Sequence, residues 1–351
     1  MNTKELLLKG VKDGVYPGAV LVAGVCGKML MHYSVGYLQK IPKPYPMKND
    51  TIFDIASLTK PLATSLAIMK LVQEGVVDLD MPISKVIKAP KEKESITIKM
   101  LLSHCSGLPD WKPYYLRLSR YPLKERTGKV VKWILEERLC FKPGKDELYS
   151  DLGFILLKYI VEKIADIQLK EIAEGLYRNF GLKNTFFGIS KKKIRREDFA
   201  AMEFCKWRRR VIQGEVHDEN AFALGGYSGH SGLFSTAEDV FIISNILLEH
   251  YLGKRQDLFN KEIIREFFRR QNKRWALGWD TPTFMSSSGS LFSKRSVGHL
   301  GFTGCSLWID LEKEVIVVFL TNRIHLRREN QKIKKFRPAL HDCVVKEVLH
   351  K

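Results

Sequence analysis

The chain has 351 residues, 45% of them apolar and 28% charged, with 13 prolines; this length supports a sizeable core and, at about 150 residues per domain, two lobes. The composition excludes a disordered, collagen-like or disulfide-scaffold protein. Its 58 Lys and Arg against 39 Asp and Glu leave a formal charge of +19, which attracts anionic partners without selecting nucleic acid, lipid or an acidic polymer.

Residues 1–12 mix Lys4, Glu5, Lys9 and Lys12 with Leu6, Leu7 and Leu8, which is neither the apolar stretch nor the cleavage site of a secretory signal, so the expected location is cytoplasmic. No apolar run approaches the roughly 18 to 20 residues of a membrane span. A helix is expected over residues 3–13. Two β-rich runs follow at 18–25 and 29–36, joined near Gly27 and Lys28 as a hairpin. Pro42, Pro44 and Pro46 keep the next stretch out of helices and central strands. Residues 58–74 read as one long helix, apolar on nearly all sides and ended by Gly75, hence buried at the centre. The middle of the chain is mainly helical, including 152–165 and 237–250, with turns at Pro109, Pro143-Gly144 and the glycine-rich 225–232. Strands return at 306–310 and 315–321, and a helix over 331–349 closes the chain.

The expected fold is therefore α/β: an antiparallel sheet built from both chain ends and flanked by helices, with an inserted, mainly helical lobe. The lobes divide as 1–60 with 290–351, and 61–289, with a cleft at their junction. The six cysteines show no Cys-x-x-Cys and are expected as buried free thiols.

Ser57-Leu58-Thr59-Lys60 stands where the segment 51–55 enters the long helix. A serine and a lysine three apart share a helix face, and the helix start favours a developing alkoxide. Such a serine has an amine within reach of its proton, and Pro61 is tolerated in the first turn. Alone the pattern is weak: about two matches arise by chance at ordinary residue frequencies, and a second occurs from Ser190 to Lys193. On spacing alone, an N-cap serine followed by a surface lysine is the favoured reading.

Two further elements change this: Tyr149-Ser150-Asp151 at a turn before a helix, and His299-Leu300-Gly301-Phe302 entering the late strands. In this order Ser57-x-x-Lys60, Tyr149-x-Asp151 and His299-x-Gly301 resemble the three active-site elements of penicillin-binding-protein and class C β-lactamase-like serine hydrolases. The segments from Leu101 to Pro109 and from Val216 to Thr236 support the resemblance, which covers about residues 17–322. It implies Ser57 as nucleophile, Lys60 and Tyr149 as its proton carriers, an acyl-enzyme, and an oxyanion hole at the N–H groups of Ser57 and Phe302. On the chemistry, Lys60 beside Tyr149 is expected to favour the phenolate.

Departures from the family pattern bear on substrate. His299 and Leu300 stand where the third motif typically holds Lys and Thr for a substrate carboxylate; Leu makes no hydrogen bond and neutral His is a weak anion anchor. Asp151 replaces a frequent Asn, and either holds Lys60 charged or attracts a substrate amine. The expected activity is hydrolysis of a small ester, amide or peptide, in the manner of a carboxylesterase or D-amino-acid peptidase. A β-lactamase or penicillin-binding protein with weak turnover is one alternative, and a catalytically degenerate polyanion-binding protein the other.

Neither metal nor organic cofactor is expected. His217-Asp218 has no second ligand at metal spacing. Residues 225–232 fit no nucleotide motif and read as a cleft loop, and Gly-x-Ser-x-Gly is absent. Ser103-His104 reads as a helix or turn element rather than a catalytic pair. Residues 191–210 hold nine Lys and Arg against three acids, and 327–337 six against one; solvated helix faces are the default for both, ahead of nucleic-acid binding.

Overall fold

The computed structural model describes residues 1–188 and 194–350. The second Ser-x-x-Lys match, Ser190 to Lys193, lies outside the described residues, as does the start of the 191–210 basic run.

A six-stranded antiparallel sheet runs in the order Tyr45–Pro46, Lys28–Gln39, Gly18–Val25, Val315–Thr321, Ser306–Asp310, Val297–Leu300. Its centre joins the two chain ends, with Ala19 opposite Thr321 and Val25 opposite Val315, as the sequence indicates. Strand alternation divides the apolar residues between two faces. Ala19, Leu21, Ala23 and Phe319 pack with Leu7, Leu340 and Val344 of the helices Thr3–Lys12 and Ile333–Leu349. Val20, Val22, Ile316 and Val318 face the larger core shared with the helix Ala237–Leu252. With both faces covered, these strands read as continuous apolar runs rather than alternating ones.

Local chemistry sets the boundaries. Asn2 and Glu5 form a capping box at the first helix. The hairpin turns at Cys26 and Gly27, both at positive φ, one residue before the expected place; two such residues suit the twist of a tight hairpin. The second strand continues to Gln39 because Gly36, at φ +73°, bends the chain without ending its pairing. Of the proline-rich stretch only Tyr45–Pro46 pairs, at the sheet edge.

The expected helix over 58–74 is not uniform. A 3₁₀ turn at Ala56–Leu58 leads into a wider π turn at Lys60–Ser65, and only Leu66–Gln73 is α-helical. It is buried as expected: Leu62, Leu66, Ile68 and Met69 are fully enclosed. A short sheet of Phe53–Asp54, Leu233–Ser235 and Phe186–Phe187 brings residues 233–235 beside the segment leading to Ser57. All six cysteines are free, but only Cys205 and Cys305 are buried, while Cys26 and Cys140 are exposed. Among the described residues no helix is long and apolar enough to cross a membrane.

Candidate active site

The turn carrying Ser57 is fastened on three sides. Asp54 accepts hydrogen bonds from the N–H groups of Ala56 (2.8 Å) and His217 (2.6 Å). Thr59 donates to the Ala56 carbonyl at 2.6 Å and accepts from Leu233 N–H at 3.1 Å. Thr303 donates to the Asp54 carbonyl at 3.0 Å. Ala56 is held at φ +49°, a region that costs a non-glycine residue about 1–2 kcal/mol, so these bonds keep Ser57 in a turn the chain alone would not choose.

Lys60 is fully buried. Its ammonium donates to Ser57 Oγ at 2.9 Å, to Asp151 Oδ1 at 2.6 Å and to the His230 carbonyl at 3.2 Å, which commits all three of its hydrogens. It also lies 4.8 Å from the centre of the Tyr149 ring. Burial pulls the Lys60 pKa down, but Asp151 and Tyr149 outweigh it and hold the ammonium above the usual lysine range. Burial pushes the Tyr149 phenol up, and Lys60 only partly offsets this. The expected preference for phenolate is thus corrected: at rest Tyr149 keeps its proton and Lys60 its charge.

Tyr149 stands in an aromatic frame, with ring centres of His104 at 4.7 Å, Trp275 at 5.5 Å and His299 at 6.0 Å. His104 Nδ1 accepts from Ser150 N–H at 3.0 Å; burial, then Lys60, holds its pKa well below the usual value. Ser103-His104 is therefore no catalytic pair, yet His104 supports Tyr149. Ser150 caps the helix Asp151–Ala165, accepting from Gly153 N–H at 3.2 Å, which places Asp151 in the first turn facing Lys60. Asp151 is occupied by Lys60, which is the first of the two roles weighed for it.

His299 sits on the edge strand Val297–Leu300, a strand the sequence does not announce because four residues containing Gly298 carry no alternation. Its Nδ1 pairs with the Leu300 carbonyl at 2.8 Å, and burial pushes its pKa down to about 3; it is neutral and supplies no charge to an anion. Gly301 passes so close to the Ser57 turn that a Cβ there would lie 2.5 Å from the Ile55 carbonyl. The Phe302 side chain is exposed and stacks on His217 at 5.6 Å.

Ser57, Tyr149, Asp151, His299, Gly301 and Phe302 line one cavity of about 350 Å³, so the candidate residues separated in sequence converge. Other lining residues were not singled out: Arg274, Trp275, Asp280, Arg323, Lys334 and Arg337. Only the last two lie in a segment marked beforehand, the basic run 327–337, and Arg337 is buried rather than solvated. Residues 225–232 sit behind Lys60, offering it the His230 carbonyl, instead of forming the cavity wall.

Folding also gives Asp218 partners that spacing concealed. His230 Nε2 lies 2.9 Å from Asp218 Oδ1, and Asp151, Asp218 and His230 bring ligand atoms within 4.8 Å of one another. The Lys60 ammonium is already in contact with Asp151 and supplies positive charge there.

A sheet built from both chain ends, opening on a serine, lysine and tyrosine beside its edge strand, defines a serine hydrolase of the β-lactamase and penicillin-binding-protein fold. The Beta-lactamase family matches residues 4–337, and the chain belongs to that family. It is 32% identical over 344 residues to an N-acetylmuramyl-L-alanine amidase of Bacillus subtilis, covering 88% of this chain and 78% of that protein. It is 30% identical over 365 residues to a putative D-alanyl-D-alanine carboxypeptidase of Salmonella paratyphi A, covering 92% and 82%. The structure of D-amino acid amidase from Ochrobactrum anthropi superposes with a TM-score of 0.75 at 22% identity, covering 99% of this chain and 97% of that one.

Proposed function

We propose that the protein hydrolyses a small ester, amide or peptide through an acyl-Ser57 intermediate, at a cleft between residues 1–60 with 290–351 and the helical residues 61–289. The observation that carries this reading is the buried Lys60 ammonium 2.9 Å from Ser57 Oγ, with Tyr149 against it, in a cavity of substrate size. Once the Lys60–Tyr149 pair has released one proton to solvent, Ser57 Oγ bonds to the carbonyl carbon as its own proton passes to the pair. The N–H groups of Ser57 and Phe302 receive the oxyanion, worth roughly 3–4 kcal/mol for each donor. Collapse breaks the bond to the leaving group, which takes the proton from the pair, and water then releases the acyl group by the reverse sequence. Relatives named as amidase and carboxypeptidase favour an amide or peptide substrate for this chain.

Intact-mass measurement after exposure to a fluorophosphonate tests the reading. Wild type is expected to gain one adduct and Ser57→Ala none, with equal folding by circular dichroism; labelling of both proteins, or of neither, rejects it. Gly301→Ala is expected to lower turnover of a p-nitrophenyl ester more than tenfold and to cost about 1–3 kcal/mol of stability, because its Cβ meets the Ile55 carbonyl at 2.5 Å. Wild-type turnover and melting in that variant contradict the close approach.

A further inference from the structure

The chain between the helix Lys261–Phe268 and the edge strand Val297–Leu300 carries a turn at 283–286. Ser286 N–H donates to the Thr283 carbonyl at 3.1 Å, which sets Phe284 and Met285 at the two central positions of that turn. They are 95% and 88% exposed, the highest values of any large apolar side chain among the described residues. A lone exposed apolar residue is ordinary; two adjacent ones, at a tip whose roots are fastened, are not. Before the turn, Arg270 donates to the Pro282 carbonyl at 2.6 Å. After it, His341 donates to the Ser287 carbonyl at 2.8 Å, and Asp342 accepts from the N–H groups of Ser290 and Leu291 at 2.7 and 3.0 Å. The tip is therefore held out into solvent instead of folding back on the surface.

Beside the root of the turn, a cleft of about 400 Å³ is lined by Arg265, Arg269, Arg270, Lys294 and Arg295, all exposed, and by no carboxylate among the described residues. Arg270 both lines the cleft and holds Pro282, so cleft and tip share one face. Arg269 pairs with Glu266 and Arg295 with Glu312. Arg265 and Arg270 spend their hydrogen bonds on backbone carbonyls, those of Tyr251 and Pro282. Lys294 has no ion-pair or hydrogen-bond partner among the described residues. This face is separate from the catalytic cavity: Ser296 lines the cleft and Leu300 the cavity, about 13 Å apart at the rise of a strand.

We propose that this face docks on a membrane surface rich in anionic phospholipid, Phe284 and Met285 entering the boundary of headgroups and acyl chains while the cleft takes headgroup phosphate. Peripheral attachment of this kind adds buried apolar area to attraction between cations and anionic lipid, and each Lys or Arg near such a surface strengthens it by about fivefold. The guanidinium groups suit phosphate oxygens, which they can engage in pairs. An apolar tip ringed by cations matches a partner whose anionic layer overlies an apolar one. Nucleic acid or an acidic protein would satisfy the cations and leave Phe284 and Met285 in water. The formal charge of +19 draws the whole chain toward such a surface, and the turn decides which face meets it. The proposal does not depend on the acyl-Ser57 reading.

Co-sedimentation with vesicles tests it, using phosphatidylcholine alone and an equimolar mixture of phosphatidylcholine and phosphatidylglycerol. Wild type is expected to bind the mixed vesicles about tenfold tighter than the neutral ones. Phe284→Ser with Met285→Ser is expected to weaken binding to the mixed vesicles about tenfold, and Lys294→Glu about fivefold or more. Both variants change exposed side chains and are expected to melt as wild type does and to keep its turnover of a p-nitrophenyl ester. Equal binding to the two vesicles, or no binding to either, overturns the proposal. So does binding to the mixed vesicles that the folded Phe284→Ser, Met285→Ser protein retains in full, since charge alone then suffices. Loss of that retained binding to inorganic phosphate, at constant ionic strength, would assign the cleft to free phosphate instead.

Discussion

Replacing Lys60 with Met is expected to lower kcat/KM for an ester substrate by about 10³–10⁴-fold while leaving the protein folded. Met approximates the lysine stem, so the fully buried site around residue 60 stays filled. What disappears is the side-chain cation that touches both Ser57 Oγ and Asp151. Without it no amine receives the serine proton, and the Tyr149 phenol, which burial pushes up, loses the charge that opposes this shift. Asp151 loses its counter-ion but stands at the cavity with its side chain 16% exposed. Hydration there limits the stability cost to about 1–3 kcal/mol, below the 3–5 typical of a fully enclosed broken pair. Steady-state kinetics on a p-nitrophenyl ester, alongside thermal melting, reads both effects. Turnover within tenfold of wild type in a folded Lys60→Met protein would mean that the lysine is a structural cation only.

What could be read beforehand follows from the range over which each signal acts. The strands Gly18–Val25 and Val315–Thr321 announce themselves as runs of branched apolar residues, and their partnership follows once both ends of the chain are strand and the middle helix. Ser57, Lys60, Tyr149 and His299 were found because three short motifs keep their order, and the cavity gathers Ser57, Tyr149 and His299 with Lys60 bonded to Ser57. The π turn at Lys60–Ser65 escaped because six residues are too few to distinguish its period from that of an α-helix. Lys60, its first residue, is fully buried rather than at the surface expected of an N-terminal lysine. Asp218 and His230 escaped for a different reason: twelve residues separate them from each other and far more from Asp151, so their meeting is purely tertiary. The basic run 327–337 misled in part. Arg328 pairs with Glu203 and Glu219, and Arg337 turns inward to the cavity, because a charge run looks the same in sequence whether its residues are solvated or enclosed.

Asp151→Asn separates the charge of the site from its shape. Asn preserves the outline and the helix start, while Lys60 loses the largest influence raising its pKa and Tyr149 loses a second, smaller one. In the wild type both groups hold their protons at neutral pH, so the pair becomes competent by losing one proton, and kcat/KM is expected to climb as the medium becomes alkaline. In Asp151→Asn the Lys60 ammonium, now buried without its carboxylate, releases that proton more readily. The rising limb moves toward lower pH, and activity at pH 7 increases about tenfold. Stability moves the opposite way. A lysine whose folded pKa is raised contributes stability below its unfolded pKa and loses it as pH rises through the folded one; Asp151→Asn removes this contribution throughout the neutral range and flattens the alkaline loss of stability. A pH series of kcat/KM, paired with melting at pH 7 and pH 11, therefore reads two opposite displacements from one substitution. A limb that stays in place while stability falls would show that Asp151 serves the fold alone, and that the titrating group is not the Lys60–Tyr149 pair.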